Sequence, residues 1–99
     1  MSTALPDEAL TALREKLDGV DDRLIACLAD RLDVCVEIAH VKKTTGIPMM
    51  QPGRVQHVKD RCAALARQRG VSGELVTQLS ALIIEETCRL EDEIIGERG

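Results

Sequence analysis

Apolar residues in the first half of the chain fall at Leu10, Leu13, Leu17, Val20, Leu24 and Cys27, and again at Val34, Ile38 and Val41. The steps are three and four residues, the spacing of one face of a helix. Arg31 is the interruption in that series. Pro6 and Asp7 suit a helix start, and Thr44, Thr45 and Gly46 followed by Pro48 suit a stop, so the pattern predicts a first helix over about residues 7–44. Gly19 weakens it without ending it. Residues 45–51 read as a short loop, and Pro52 fits the first position of a second helix, where its missing N–H costs nothing. That helix carries Val55, Val58, Cys62 and Leu65 on one face and should stop near Gly70. Ser72 can cap a third helix carrying Leu75, Val76, Leu79, Leu82, Ile83, Leu90 and Ile94. The expected fold class is all-α: three helices, long, short and medium, at about 7–44, 52–69 and 73–95, in a single domain over residues 1–99.

The first helix would extend ~57 Å at 1.5 Å per residue, whereas a compact monomer of this size has a radius of gyration of ~13 Å. The other half of the chain is too short to cover that seam. Pairing with the same helix of a second copy is the economical solution, so an intertwined helical homodimer is expected.

Composition narrows the function. Apolar residues make up 44% of the chain, yet Trp, Tyr and Phe are absent, so stacking on nucleic-acid bases is excluded. A net charge of −4, with both signs spread along the chain, argues against a phosphate-tracking surface. No apolar run approaches the ~20 residues that span a bilayer, and no basic start leads into an apolar leader. A soluble, cytoplasmic protein with no nucleic-acid or membrane partner is expected. Cys27, Cys35, Cys62 and Cys88 form no C-x-x-C pair and are expected to be reduced, buried thiols that pack as small hydrophobes. His40 and His57 have no helically spaced metal partner and read as solvated; no metal or cofactor is expected.

Arg31 carries the most information about chemistry. A guanidinium in an apolar seam is costly unless an anion compensates it. Lys42 projects about three turns further along from nearly the same side, and Arg14 stands toward the other end of the helix. Two cations on one face suggest a bound dianion. Singly, each has a plainer reading: Arg14 as an exposed cation, Lys42 as a snorkelling end residue, and Arg31 as a partner for Asp30, Asp33 or another chain's carboxylate.

Taken together, Arg14-Glu15-Lys16-Leu17-Asp18, Asp21-Asp22-Arg23-Leu24, Arg31 and Val36-Glu37-Ile38-Ala39 leading to Lys42 resemble the first helix of the all-helical (type II) chorismate mutases. The similarity continues through Ile47-Pro48, Pro52, Arg54 and Ile83-Ile84-Glu85-Glu86-Thr87, covering about residues 7–95. The resemblance implies a dimer with two sites, each receiving Arg14 from the partner chain. Arg14, Arg31 and Arg54 would hold the substrate's carboxylates and neighbouring oxygens, Thr87 would contact a carboxylate where the family often has serine, and Lys42 would donate to the ether oxygen of the breaking bond. A Claisen-type rearrangement needs no nucleophile, proton relay or metal; it needs a flexible dianion held in its reactive chair, with cations aimed at the charge developing on the ether oxygen.

Two positions depart from the family pattern. Glu91 stands one turn beyond Thr87, where many members have a glutamine that donates to the same ether oxygen. A glutamate can donate only when protonated, so Glu91 is expected to act as a neutral acid, with activity falling as pH rises; the plainer reading is an exposed glutamate beside Asp92 and Glu93. The family's acidic pair flanking the motif arginine appears here as Gln51 and Val55, which removes an acceptor for a C4 hydroxyl; Val55 can also be read as a core residue of the second helix. The run Ile47-Pro48-Met49-Met50-Gln51-Pro52-Gly53-Arg54-Val55, with Cys88-Arg89-Leu90-Glu91-Asp92, is most similar to the 4-amino-4-deoxychorismate mutases of antibiotic pathways. That resemblance implies an amino-substituted chorismate as substrate, and Gln51's carbonyl could accept from its ammonium group. Met49 and Met50 read either as a cover for the site or as loop packing.

Two other functions fit parts of this pattern. Isochorismate-pyruvate lyases share the fold and resemble the chain around Pro52-Gly53-Arg54-Val55. A non-catalytic helical dimerisation module would use the seam for assembly alone and pair each cation with a carboxylate. The family also implies a possible partner, since some small mutases gain efficiency when bound to a larger shikimate-pathway enzyme.

Overall fold

The protein's structure, a computed structural model, describes residues 6–48 and 51–96, and of Pro52 the backbone alone. Among them are three helices and no strands: α1 (Pro6–Thr45), α2 (Pro52–Arg69) and α3 (Gly73–Gly96). α1 reaches one residue further at each end than the apolar pattern predicts, and α3 one further at its end. Pro6 opens α1, since a proline's fixed φ suits the first turn. At the other end the Thr44 and Thr45 hydroxyls donate to the carbonyls of Val41 and, from Thr44, of His40 (2.6–3.1 Å). Gly46, at φ 75°, ends the helix by donating its N–H to the Lys42 carbonyl at 2.9 Å. Only a residue without Cβ takes that left-handed conformation cheaply. Gly70 does the same for α2, and the Ser72 side chain accepts from Leu75 N at 3.3 Å to cap α3.

The chain divides into two compact units, Met1–Asp33 and Val34–Gly99. In the first, α1 stands with its seam bare: Leu10, Leu13, Leu17, Val20 and Leu24 are 44–60% exposed. Cys27 shares that seam and is exposed too, which corrects the expectation of four buried thiols; all four are unbonded to each other, Cys35 buried and Cys62 and Cys88 half-buried.

In the second unit α2 packs on α3. Val55, Val58 and Cys62 are half-buried, as their spacing predicts, but the fully covered residue near the end of α2 is Ala66, and Leu65 beside it is exposed. On α3 the buried residues are polar, Ser80 and Glu91, while Leu75, Leu79 and Leu82 lie exposed on another face. Cys35 and Ala39 are the buried residues of α1. Small side chains lie at the contacts because they let helix axes approach, and the larger aliphatics face outward on rows spaced by three and four. No helix among the described residues is long and apolar enough to cross a membrane.

Candidate functional site

Two side-chain contacts join the end of α1 to α3 inside the second unit. Lys42 Nζ donates to Glu91 Oε1 at 2.8 Å, with the two side chains 14% and 7% exposed. Two turns earlier on α1, the Cys35 thiol donates to Thr87 Oγ1 at 3.6 Å. Thr87 and Glu91 are one turn apart on α3, so they share a face. Because Cys35 meets Thr87 and Lys42 meets Glu91, this part of α1 and α3 run in the same direction. Ala39, between the two contacts on α1, is fully covered.

Charge explains why Lys42 and Glu91 stand together. A carboxylate withdrawn from water is costly unless a cation answers it, and Lys42 sits in the last turn of α1, where the helix carbonyls favour a cation. Burial removes the plainer reading of Glu91 as an exposed glutamate, a description that fits Asp92 and Glu93 instead. An ammonium has three hydrogens, and the one given to Glu91 fixes the direction of the others. Thr87 is equally constrained: its hydroxyl donates to the Ile83 carbonyl at 2.9 Å while accepting from Cys35.

Gln51, Arg54 and Val55 form a second group at the start of α2. Gln51 is the extended residue before the helix, and its carbonyl accepts from Arg54 N at 2.9 Å and Val55 N at 3.2 Å. Arg54 is exposed and Val55 half-buried. The first turn of α2 contains no acidic residue, so the positive end of the helix and the Arg54 guanidinium act in the same sense on an anion. Arg14, exposed, and Arg31, half-buried, stand on α1 in the first unit. A shallow groove there, lined by Asp7, Glu8, Thr11, Ala12 and Glu15, is edged with acid and would repel a dianion. Met49 and Met50 lie outside the described residues.

The structure therefore brings together Lys42, Thr87 and Glu91 from the predicted set, and holds Gln51, Arg54 and Val55 as a neighbouring sequence group on one helix start. It adds Cys35, which sequence reasoning took for a packing residue. The signal was present: Cys35, Ala39 and Lys42 follow helical spacing on a face adjacent to the apolar seam. Among the described residues no cluster of His, Cys, Asp or Glu has the make-up of a metal site.

Residues 13–92 match the family described as chorismate mutase type II. The chain is similar to the 4-amino-4-deoxychorismate mutase of Streptomyces venezuelae, 43% identical over 90 residues that cover 91% of this chain and 87% of that protein. It is 40% identical to the 4-amino-4-deoxychorismate mutase of Streptomyces pristinaespiralis over 96 residues, 97% of this chain and 74% of that one. The chorismate mutase of Methanocaldococcus jannaschii is 26% identical over 90 residues, 91% of each chain.

Proposed function

This chain belongs to the type II chorismate mutase family, an isomerase family, and from that premise we propose that it rearranges 4-amino-4-deoxychorismate to 4-amino-4-deoxyprephenate, as a cytoplasmic homodimer in which residues 1–99 act as one mutase domain. The observation that carries the reading is the secluded Lys42–Glu91 pair, 2.8 Å apart with both side chains largely covered. Two hydrogen-bonding groups fixed side by side out of water are what an ether oxygen gaining charge requires.

In the rearrangement the ether C–O bond breaks as a C–C bond forms, and negative charge grows on the oxygen. Lys42 donates to that oxygen. Glu91 accepts from Lys42 through Oε1; once the negative charge of the substrate stands beside it, a proton taken up on its other oxygen lets it donate to the ether as well, without giving up the first contact. Arg54, Arg31 and Arg14 of the partner subunit hold the two carboxylates, with Thr87 donating to one of them. Fixing the dianion in its chair supplies the positioning part of the catalysis. Gln51 and Val55 line the C4 end, where a neutral amide carbonyl accepts from a substrate ammonium and an aliphatic side chain replaces a carboxylate. The two Streptomyces relatives named for the amino compound support that choice of substrate.

The bare seam of the first unit supports the homodimer. Taking a Leu or Val side chain from full exposure to full burial stabilises by about 1.5–3 kcal/mol; the five seam residues start about half-exposed, so covering them contributes on the order of 5 kcal/mol per chain, a large share of the stability of a small domain. The test is a rate comparison of the purified protein on 4-amino-4-deoxychorismate, chorismate and isochorismate, with products resolved by mass spectrometry. Preferential turnover of the amino compound is expected. Preference for chorismate would reassign the substrate, pyruvate release from isochorismate would make the chain a lyase, and inactivity on all three would favour a dimerisation module or a mutase that needs a larger shikimate-pathway enzyme beside it.

A further inference from the structure

We propose that Cys35 is a positioning residue for the rearrangement, its thiol holding the Thr87 hydroxyl in the orientation that meets a substrate carboxylate; this rests on the reading of Thr87 as a carboxylate contact. The buried Cys35 Sγ lies 3.6 Å from Thr87 Oγ1 as donor, an ordinary separation for the larger sulfur atom. Thr87 in turn donates its hydroxyl hydrogen to the Ile83 carbonyl at 2.9 Å. The three groups make a directed chain from thiol to hydroxyl to carbonyl.

A hydroxyl has one hydrogen and two acceptor lone pairs. With its hydrogen on Ile83, Thr87 offers nothing to an anion; to meet a carboxylate the O–H must swing away from the backbone. Threonine in a helix makes this back-bond readily, and the bond competes with any outside partner. Cys35 changes the balance because it engages a lone pair, not the hydrogen. Its contact survives when the O–H turns, and it keeps the oxygen from following the hydrogen to another rotamer. Alanine or valine at position 35 would fill the space without that anchor. The thiol acts through Thr87 and touches no reacting atom.

Because the carboxylate is bound equally in the ground and transition states, loss of the anchor acts on KM and leaves kcat nearly unchanged. The test is the cycle of Cys35→Ala, Thr87→Val and the double variant, with Cys35→Ser as the variant that restores a donor. KM should rise about three-fold in Cys35→Ala, the effect of one weak hydrogen bond, return toward the original in Cys35→Ser, and show no further rise when Cys35→Ala is added to Thr87→Val. An equal rise in both backgrounds would overturn the proposal and leave Cys35 a packing residue. Circular-dichroism melts and the oligomer size of each variant separate misfolding from lost positioning. Absence of turnover with every substrate would leave no KM to compare, and the thiol is then read directly. The infrared S–H band that Cys35→Ala removes must move to higher frequency in Thr87→Val; a stationary band would refute the Cys35–Thr87 bond whatever the activity.

Discussion

Residues up to Asp33 and residues from Val34 onward differ in what they cover, although α1 runs through both and both leave large aliphatics exposed. The first unit buries none of its described residues and leaves Leu10, Leu13, Leu17, Val20 and Leu24 exposed in a row. The second unit covers small and polar residues, Cys35, Ala39, Ala66, Ser80 and Glu91, and sets its larger aliphatics outward. In the function proposed above, one stretch of helix serves association and the other a site. The contacts of the second unit accept an ion pair and a thiol–hydroxyl bond because each polar atom there has an answer.

The sharpest way to break that division is Lys42→Ala. Removing a donor aimed at a developing oxyanion lowers kcat by roughly 100- to 1,000-fold, while association, assigned in our proposal to the seam of the first unit, should be unchanged in sedimentation. Turnover at the original rate would sink the role given to Lys42. The converse experiment is Leu13→Asp with Leu17→Asp. Two carboxylates in the seam should weaken the dimer by roughly 100-fold, because each would have to be withdrawn from water without a partner. The second unit should keep its helices by circular dichroism. If Arg14 is supplied across the seam, as proposed, turnover per chain should then track the dimer fraction; full activity in a monomer would contradict the shared site.

The same division decided what was legible in the sequence. The three helices and their limits followed from apolar spacing, Pro52, Gly70 and Ser72, because each of those signals is local. Lys42, Thr87 and Glu91 were named from family spacing, and their meeting depends on how α1 lies on α3, which no local rule gives. Cys35 was read as a reduced, buried thiol, which it is; the hydroxyl opposite it depends on the same packing of α1 on α3 and is not given by spacing. Leu65, Leu75, Leu79 and Leu82 were placed on apolar faces and lie exposed, because periodicity marks a face without telling which partner covers it. The chemistry at C4 was legible only as a departure, two residues of the wrong type for a C4 hydroxyl.

Glu91→Gln sharpens the comparison on the side of the site. If Glu91 donates to the ether oxygen as a neutral acid, wild-type activity is present at low pH and falls as pH rises and the proton leaves. Glutamine donates at every pH, so the variant should lose that dependence and exceed the wild type by roughly ten-fold at the alkaline end. Identical pH profiles would exclude the proton. The seam variants should retain the wild-type slope at whatever activity remains.

The smallest effect is expected from a second cluster on α3, on the exposed side of the turns that carry Thr87 and Glu91. Arg89 donates to Glu86 and, at 2.7 Å, to Glu93, with all three side chains exposed. The hydrogen bond from Arg89 holds the Glu86 carboxyl below its usual range, helped by the arginine's charge and opposed by some desolvation. A carboxylate lowered in the folded state contributes stability above its unfolded value, and the contribution is lost as pH falls through the lowered one. Here water and salt screen the charges, so the contribution is slight. Arg89→Ala should lower the melting midpoint only marginally at neutral pH, and the difference should vanish in strong acid or at high salt. Turnover should not change. A large fall in midpoint would mean that exposed ion pairs hold α3 in place, and the contrast between a solvated pair and the secluded Lys42–Glu91 pair would then have to be drawn from something other than burial.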